Sequence, residues 1–155
     1  MVDMRAELHR TLMYEFHRLA IAVGHMVNSY SAATELHGHD GEGLLAIWHA
    51  EAVGAPLTVS ELAEKLSLTR AGATYMVDRL EEKGFVSRVA DPVDRRKTRI
   101  HVSEAGHDFG TGFADEWNPF AEYSDAQVEL FVTMMGELNT QLIAAGHAHQ
   151  TTKEQ

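Results

Sequence analysis

The sequence predicts a mainly helical chain with one small β-hairpin: a compact middle lobe flanked by long N- and C-terminal helices. Three observations carry this. Apolar residues recur every three and four positions through both ends of the chain. Two helix-start signals follow each other closely in the middle. Two short β-branched runs then flank a charged Asp-Pro turn.

From residue 5 to about 34, Leu8, Leu12, Phe16, Leu19, Val23, Met26, Val27 and Tyr30 fall on one stripe of a long helix. The stretch "HGHDGEG" carries three glycines and predicts a loop. "GLLAIWHAEAV", residues 43 to 53, predicts a short apolar helix that Gly54 and Pro56 terminate. Thr58 and Glu61 then have the T-x-x-E spacing of a capping box, which opens a helix with Leu62, Ala63 and Leu66 on its inner face. Thr69 is the N-cap of the next helix, whose inner stripe is Ala73, Met76, Val77 and Leu80 and which stops at Gly84. Two short helices joined by a tight turn have the proportions of a helix-turn-helix.

"FVSRVA" and "TRIHVS" read as paired strands around "DPVDRRK", where Asp91-Pro92 shapes the turn. A hairpin directly after a helix-turn-helix is a wing. Beyond it, Phe109, Phe113, Trp117 and Phe120 share a helical face that Pro119 shortens or kinks. Ser124 and Gln127 form a second capping box opening a last helix through Val128, Phe131, Met135, Leu138 and Leu142. The apolar stripes at both ends exceed what a middle lobe of that size can cover, and a two-fold dimer is the commonest remedy. The expected layout is one domain over 1–155, with dimerisation helices at about 5–36 and 104–149 and the winged lobe at about 43–103.

Charge narrows the function. The chain has a formal net charge of −10, yet residues 57 to 101 hold nine Lys/Arg against seven Asp/Glu. Only this middle segment can approach a polyanion. Arg95, Arg96, Lys97 and Arg99 crowd the hairpin tip, where Arg95, Lys97 and Arg99 suit phosphate. On the second helix of the pair, Arg70, Thr74 and Tyr75 point away from the inner stripe and are the candidates for base edges. Gly72 would let the helix approach the DNA backbone closely. Arg79 and Arg88 serve equally as phosphate ligands or as ion-pair partners of Asp78 or Glu82.

The chain contains no cysteine, so disulfides, thiolate metal sites and thiol nucleophiles are excluded. No P-loop, G-x-S-x-G, H-E-x-x-H or G-x-G-x-x-G occurs, and no enzyme is expected. No cofactor is expected either. The N-terminus lacks the pattern of a signal peptide and no apolar run could span a bilayer, so a cytoplasmic protein without membrane contact is expected. Ten histidines raise a metal-responsive reading, with His37, His39 and Asp40 near the first loop and His107 later; His147 and His149 fall in the tail. No H-x-x-x-H pair seeds a metal site, and none is assigned.

From Leu57 to Gly106 the chain resembles the MarR family of bacterial transcription regulators. The family's wing signature runs D-x-R, three residues, an aliphatic, one residue, then L-T-x-x-G. Here it reads Asp94-Arg95-Arg96, Ile100, Val102, Ser103 and Gly106, with Val102-Ser103 where Leu-Thr is usual. The helix-turn-helix and the order of flanking helices are similar too, so the resemblance extends over essentially the whole chain. It implies a homodimeric repressor of double-stranded DNA, with the helix from Arg70 to Lys83 in the major groove. Arg96 would enter the minor groove with Asp94 holding it there. It further implies release by a small aromatic or phenolic effector, for which Tyr14, His17, Trp48 and Trp117 are the candidate lining residues. The cysteine-free sequence excludes the thiol-oxidation switch of some relatives. The alternative reading is a dimeric winged-helix scaffold that binds a protein partner, motivated by the overall acidity.

Overall fold

A computed structural model describes residues 4–36, 39–115 and 119–152, with the side chains of 113–115 and 145–152 outside that description. The elements run α1 (Met4–Ala33), α2 (Asp40–Ala52), α3 (Val59–Lys65), α4 (Arg70–Glu82), β1 (Val86–Ala90), β2 (Thr98–Val102), α5 (Glu104–Asp115) and α6 (Asp125–Thr152). They divide into two compact units, residues 1–116 and 117–155. The predicted fold class is the observed one.

Helix boundaries follow from identifiable end chemistry. Thr58 accepts the Glu61 amide while the Glu61 carboxylate accepts the Thr58 amide, the complete box expected at the start of α3. Thr69 accepts the Gly72 amide at the start of α4. The first four helices all close the same way. A residue at positive φ (Glu35, Gly54, Ser67, Gly84) is followed by an amide that reaches back five residues. Those bonds are Leu36 to Ser31, Ala55 to Ala50, Leu68 to Ala63 and Phe85 to Leu80, each 2.8 or 2.9 Å. Gly54 and Gly84 announce this in the sequence. Glu35 and Ser67 do not, because an L side chain in that conformation is disfavoured and only the surrounding packing imposes it.

The core of the first unit joins Leu44 and Ile47 of α2, Leu62 of α3, Met76, Val77 and Leu80 of α4, Val86, Ile100 and Val102 of the hairpin, and Phe109 of α5. Phe109 meets Tyr30 and Phe85 edge-on, with ring centroids 5.0 and 6.3 Å apart. The inner stripe expected for α4 is buried throughout. β1 and β2 pair antiparallel with Val86 opposite Val102 and Ala90 opposite Thr98. The outer edge of β2 is also occupied: Ile100 donates to the Leu57 carbonyl at 2.8 Å and Val102 to the Glu51 carboxylate at 2.7 Å. On the outer edge of β1, Arg88 donates its amide to Glu81 at 3.1 Å.

Three expectations are corrected and one is met. The glycine-rich stretch is not wholly loop, since α2 begins at Asp40. Its glycines serve packing: a Cβ on Gly41 would lie 1.8 Å from the Ser31 hydroxyl, and one on Gly43 would lie 2.3 Å from the Met76 sulfur. The apolar stripe of α1 is largely uncovered, in keeping with the expected excess over what the middle lobe can bury. Leu8, Leu12 and Leu19 are exposed and only Val27 of the eight is buried. The aromatic face read through Phe120 is divided: α5 ends at Asp115, and Phe120 stacks in the second unit with Tyr123 and Phe131, 6.1 and 5.2 Å away. Finally, Ser124 and Gln127 make only half a capping box. Gln127 Oε1 accepts from the Ser124 amide, while the Ser124 hydroxyl donates to that same oxygen instead of accepting an amide.

Candidate nucleic-acid interface

α4 presents its outward face as the sequence anticipates. Arg70, Thr74 and Tyr75 are exposed while Ala73, Met76 and Val77 on the opposite face are buried. Thr74 bonds back to the Arg70 carbonyl at 2.9 Å, so its methyl group is the part turned outward for contact. Arg79 has a different position. Its Nε donates to Asp40 Oδ2 at 2.9 Å and its Nη2 to Oδ1, a two-pronged pair with a carboxylate only 1% exposed. The guanidinium also lies over the Tyr75 ring, 4.3 Å from its centroid. Such a contact at an accessible site contributes about 0.5–1 kcal/mol. The ion-pair alternative for Arg79 is thus realised with Asp40, on a separate element, rather than with Asp78 or Glu82. Arg88 bonds Asp78 at 2.6 Å and Glu81.

The hairpin tip is organised by Asp91, which is nearly buried. Its Oδ1 accepts the amides of Val93 (2.8 Å) and Asp94 (3.0 Å), and its Oδ2 accepts Arg99 Nε at 2.7 Å. The Asp94 amide, the Arg99 guanidinium and the Val93 amide together lower the Asp91 carboxyl to about 2. Arg99 spends its remaining Nη1 on the Pro56 carbonyl and on Glu61, each at 2.9 Å. This tie binds the wing to the α3 capping box. Arg99 was expected to face phosphate; its Nε and Nη1 are instead engaged in holding the tip, where two carboxylates and a carbonyl stand beside the guanidinium. Glu51 forms a third anchor. Burial would raise its carboxyl, but the Val102 amide and His101 outweigh that and the net displacement is downward.

With the tip fixed, Arg95, Arg96 and Lys97 project outward. Arg96 is the extreme case, its side chain 92% exposed, with Nε 3.3 Å from Asp94 Oδ1. The same oxygen accepts the Arg96 amide at 3.2 Å. Arg70, Arg96 and Lys97 share one cleft of about 430 Å³ with Thr58, Ser60, Glu61 and Thr98. The start of α4 and the side of the wing therefore form a single, mostly basic surface. Gly106, the last residue of the wing signature, is explained by contact: a Cβ there would lie 2.3 Å from the Phe85 carbonyl oxygen.

Comparison with known proteins agrees with this geometry. The MarR family model matches residues 49–98. The HTH-type transcriptional repressor YetL of Bacillus subtilis (strain 168) is 30% identical over 121 residues, covering 75% of this chain and 71% of YetL. The chain belongs to the MarR family. It is a MarR-family transcription regulator, and that family is not enzymatic. A second relative, the HTH-type transcriptional regulator YcgE of the same organism, is 28% identical and covers 87% of this chain and 88% of its own. Among solved structures, a MepR mutant from a multidrug-resistant S. aureus clinical isolate superposes with a TM-score of 0.64 at 17% identity, over 92% of this chain and 99% of MepR. A MarR family protein from Bacillus stearothermophilus gives 0.60 at 24% identity, over 88% and 94%. These two establish the shared fold.

The effector-lining candidates of this MarR-family chain are spread differently from the DNA-facing ones. Tyr14 and His17 are exposed on α1, with His17 Nδ1 at 2.8 Å from the Met13 carbonyl. Trp48 packs against the core over Gly110, where a Cβ would lie 2.4 Å from its ring. Trp117 and His37 lie outside the described residues. His39 bonds Glu42 at 2.9 Å. No helix among the described residues is long and apolar enough to cross a membrane. Sequence reasoning missed Asp40 and Glu51. Their partners are 39 and 51 residues away, so no local pattern could reveal them.

Proposed function

We propose that this regulator is a homodimeric repressor that reads a pseudo-palindromic operator in double-stranded DNA. α4 would enter the major groove with Arg70, Thr74 and Tyr75 towards base edges, and Arg96 would enter the flanking minor groove. The observation that carries this reading is the shared basic cleft, in which Arg70 of α4 and Arg96 and Lys97 of the wing face one ligand while the rest of the chain is acidic. Arg95 and Lys97 would contact phosphate; Asp94 would orient Arg96. S. aureus MepR has been solved in complex with DNA on this fold (TM-score 0.52, 19% identity), which supports the same docking here. The dimer is supported by the uncovered apolar residues of α1 and by Leu130, Val132, Met134, Leu142 and Ile143 of α6. The flanking helices would pair two lobes about one DNA turn apart, roughly 34–36 Å.

Repression accords with the name of YetL, and control by a small aromatic effector accords with the solved complex of MepR with ethidium bromide. Both come to this chain as part of the proposal, as does its cytoplasmic location. The test uses gel-shift titrations against an inverted repeat taken from DNA beside the gene. Arg96→Ala should weaken operator binding about tenfold and lower the salt slope by about one. Unchanged affinity and slope would refute the reading. The acidity of the chain favours the second reading, a scaffold for a protein partner. Its signature would be the absence of the roughly thousandfold preference for an operator over random DNA.

A further inference from the structure

Asp40 is a costly residue where it stands. Its carboxylate is buried at the first residue of α2, and both oxygens are consumed by one guanidinium from α4. An apolar contact would fasten the two helices at least as well, because taking two charges out of water offsets most of their attraction. The pair does supply something an apolar contact cannot: a flat group at a fixed angle.

The edge of that group serves Asp40, and its central carbon lies over the Tyr75 ring. Tyr75 and Arg79 are one helical turn apart, and the ring has the guanidinium carbon 4.3 Å from its centroid although the residue is 65% exposed. An unsupported exposed tyrosine would sample its staggered rotamers freely. Here the shelf beneath the ring does not move, because both prongs of the arginine are held by a carboxylate on a separate helix. A second tie reinforces the same corner: Lys83 Nζ, just past the end of α4, donates to the Glu35 carbonyl at 2.8 Å. With Nε and Nη2 held by Asp40, the Arg79 guanidinium is drawn inward beneath Tyr75, and the most exposed group the turn offers is the tyrosine.

We propose that Asp40, acting through the Arg79 guanidinium, is a positioning residue that fixes the Tyr75 ring on the DNA-facing side of α4 and thereby sets the preference at the base pair Tyr75 faces. The ligand chemistry is a base edge in the major groove: a thymine methyl against the ring or a base acceptor for the hydroxyl. This inference rests on the reading that α4 contacts DNA.

The test selects binding sites from a random-sequence duplex library with the full-length protein, then compares the enriched motif of each variant with that of the wild type. Tyr75→Ala should lose discrimination at particular base pairs of each half-site, about tenfold. Asp40→Asn should lose discrimination at those same base pairs, leaving the rest of the motif and the salt slope of binding to a fixed non-specific duplex in place. Arg79→Lys keeps a charge beside Asp40 but removes the flat face, so it should copy the same local loss, and it carries the test should Asp40→Asn fail to fold. A motif unchanged in Arg79→Lys and Asp40→Asn, or one degraded evenly at every position, overturns the positioning role. A wild type that enriches no motif overturns instead the reading that α4 recognises sequence, and this proposal with it.

Discussion

α4 and the wing each combine an arginine that is spent with a side chain that is offered, but they do it at different depths. In α4, Arg79 grips the buried Asp40 and supports Tyr75. In the wing, Arg99 grips Asp91 at the base of the tip, and Arg96 stands out at its end. The difference reflects what each scaffold leaves undetermined. A helix fixes its own backbone, so only a rotamer remains to be set. A hairpin tip fixes neither, so Asp91 must first gather the amides of Val93 and Asp94 before any arginine has a direction.

That contrast is breakable. Arg79→Ala should give the largest loss, about 3 kcal/mol in urea unfolding, since it strands a buried carboxylate. Replacing both partners, Asp40→Leu with Arg79→Met, should recover most of that stability. If the single substitution is harmless, the pair is not the buried anchor described. Arg99→Ala should cost less stability than Arg79→Ala, because Glu61 is open to water and Asp91 keeps the amides of Val93 and Asp94. It should nonetheless reduce operator affinity by roughly the tenfold expected of Arg96→Ala, by disordering the tip that carries it. A normal affinity would show that the tip organises itself without the arginine.

The subtlest effect is in acid. The Asp91 carboxyl is held at about 2, below its value in an unfolded chain, so its contribution is present at neutral pH. It should persist to about pH 4 and fade as the pH drops towards 2, when the unfolded and then the folded form take up the proton. Amide exchange across residues 91–97, followed down that range and compared with Asp91→Asn, should show the wild-type protection converging on the variant's. Protection lost well above pH 4 would mean that another group titrates the wing.

Much of this was legible because it is local. The Thr58–Glu61 box and the Thr69 cap lie within three residues of what they contact, and the inner stripe of α4 and the signature from Asp94 to Gly106 are patterns written within one short stretch of chain. The Asp94–Arg96 pair, two residues apart, was legible for the same reason. Asp40 looked like loop because its neighbours are glycines, and glycine signals a turn unless a hydroxyl or a sulfur from elsewhere needs the space. Arg99 read as a phosphate ligand because the sequence shows its charge but not Pro56 and Glu61 waiting beside it. Periodicity located the stripe of α1, and its extent beside so small a lobe already implied that its own chain would leave much of it uncovered.

The small sheet is a two-stranded ribbon with two edges, and either could recruit a strand from another molecule. Neither is open along its length. Leu57 and Glu51 occupy the amides of Ile100 and Val102 on one side, and Glu81 takes the amide of Arg88 on the other. Neither edge therefore presents an unbroken row of free amides on which a strand from another copy could lengthen the sheet.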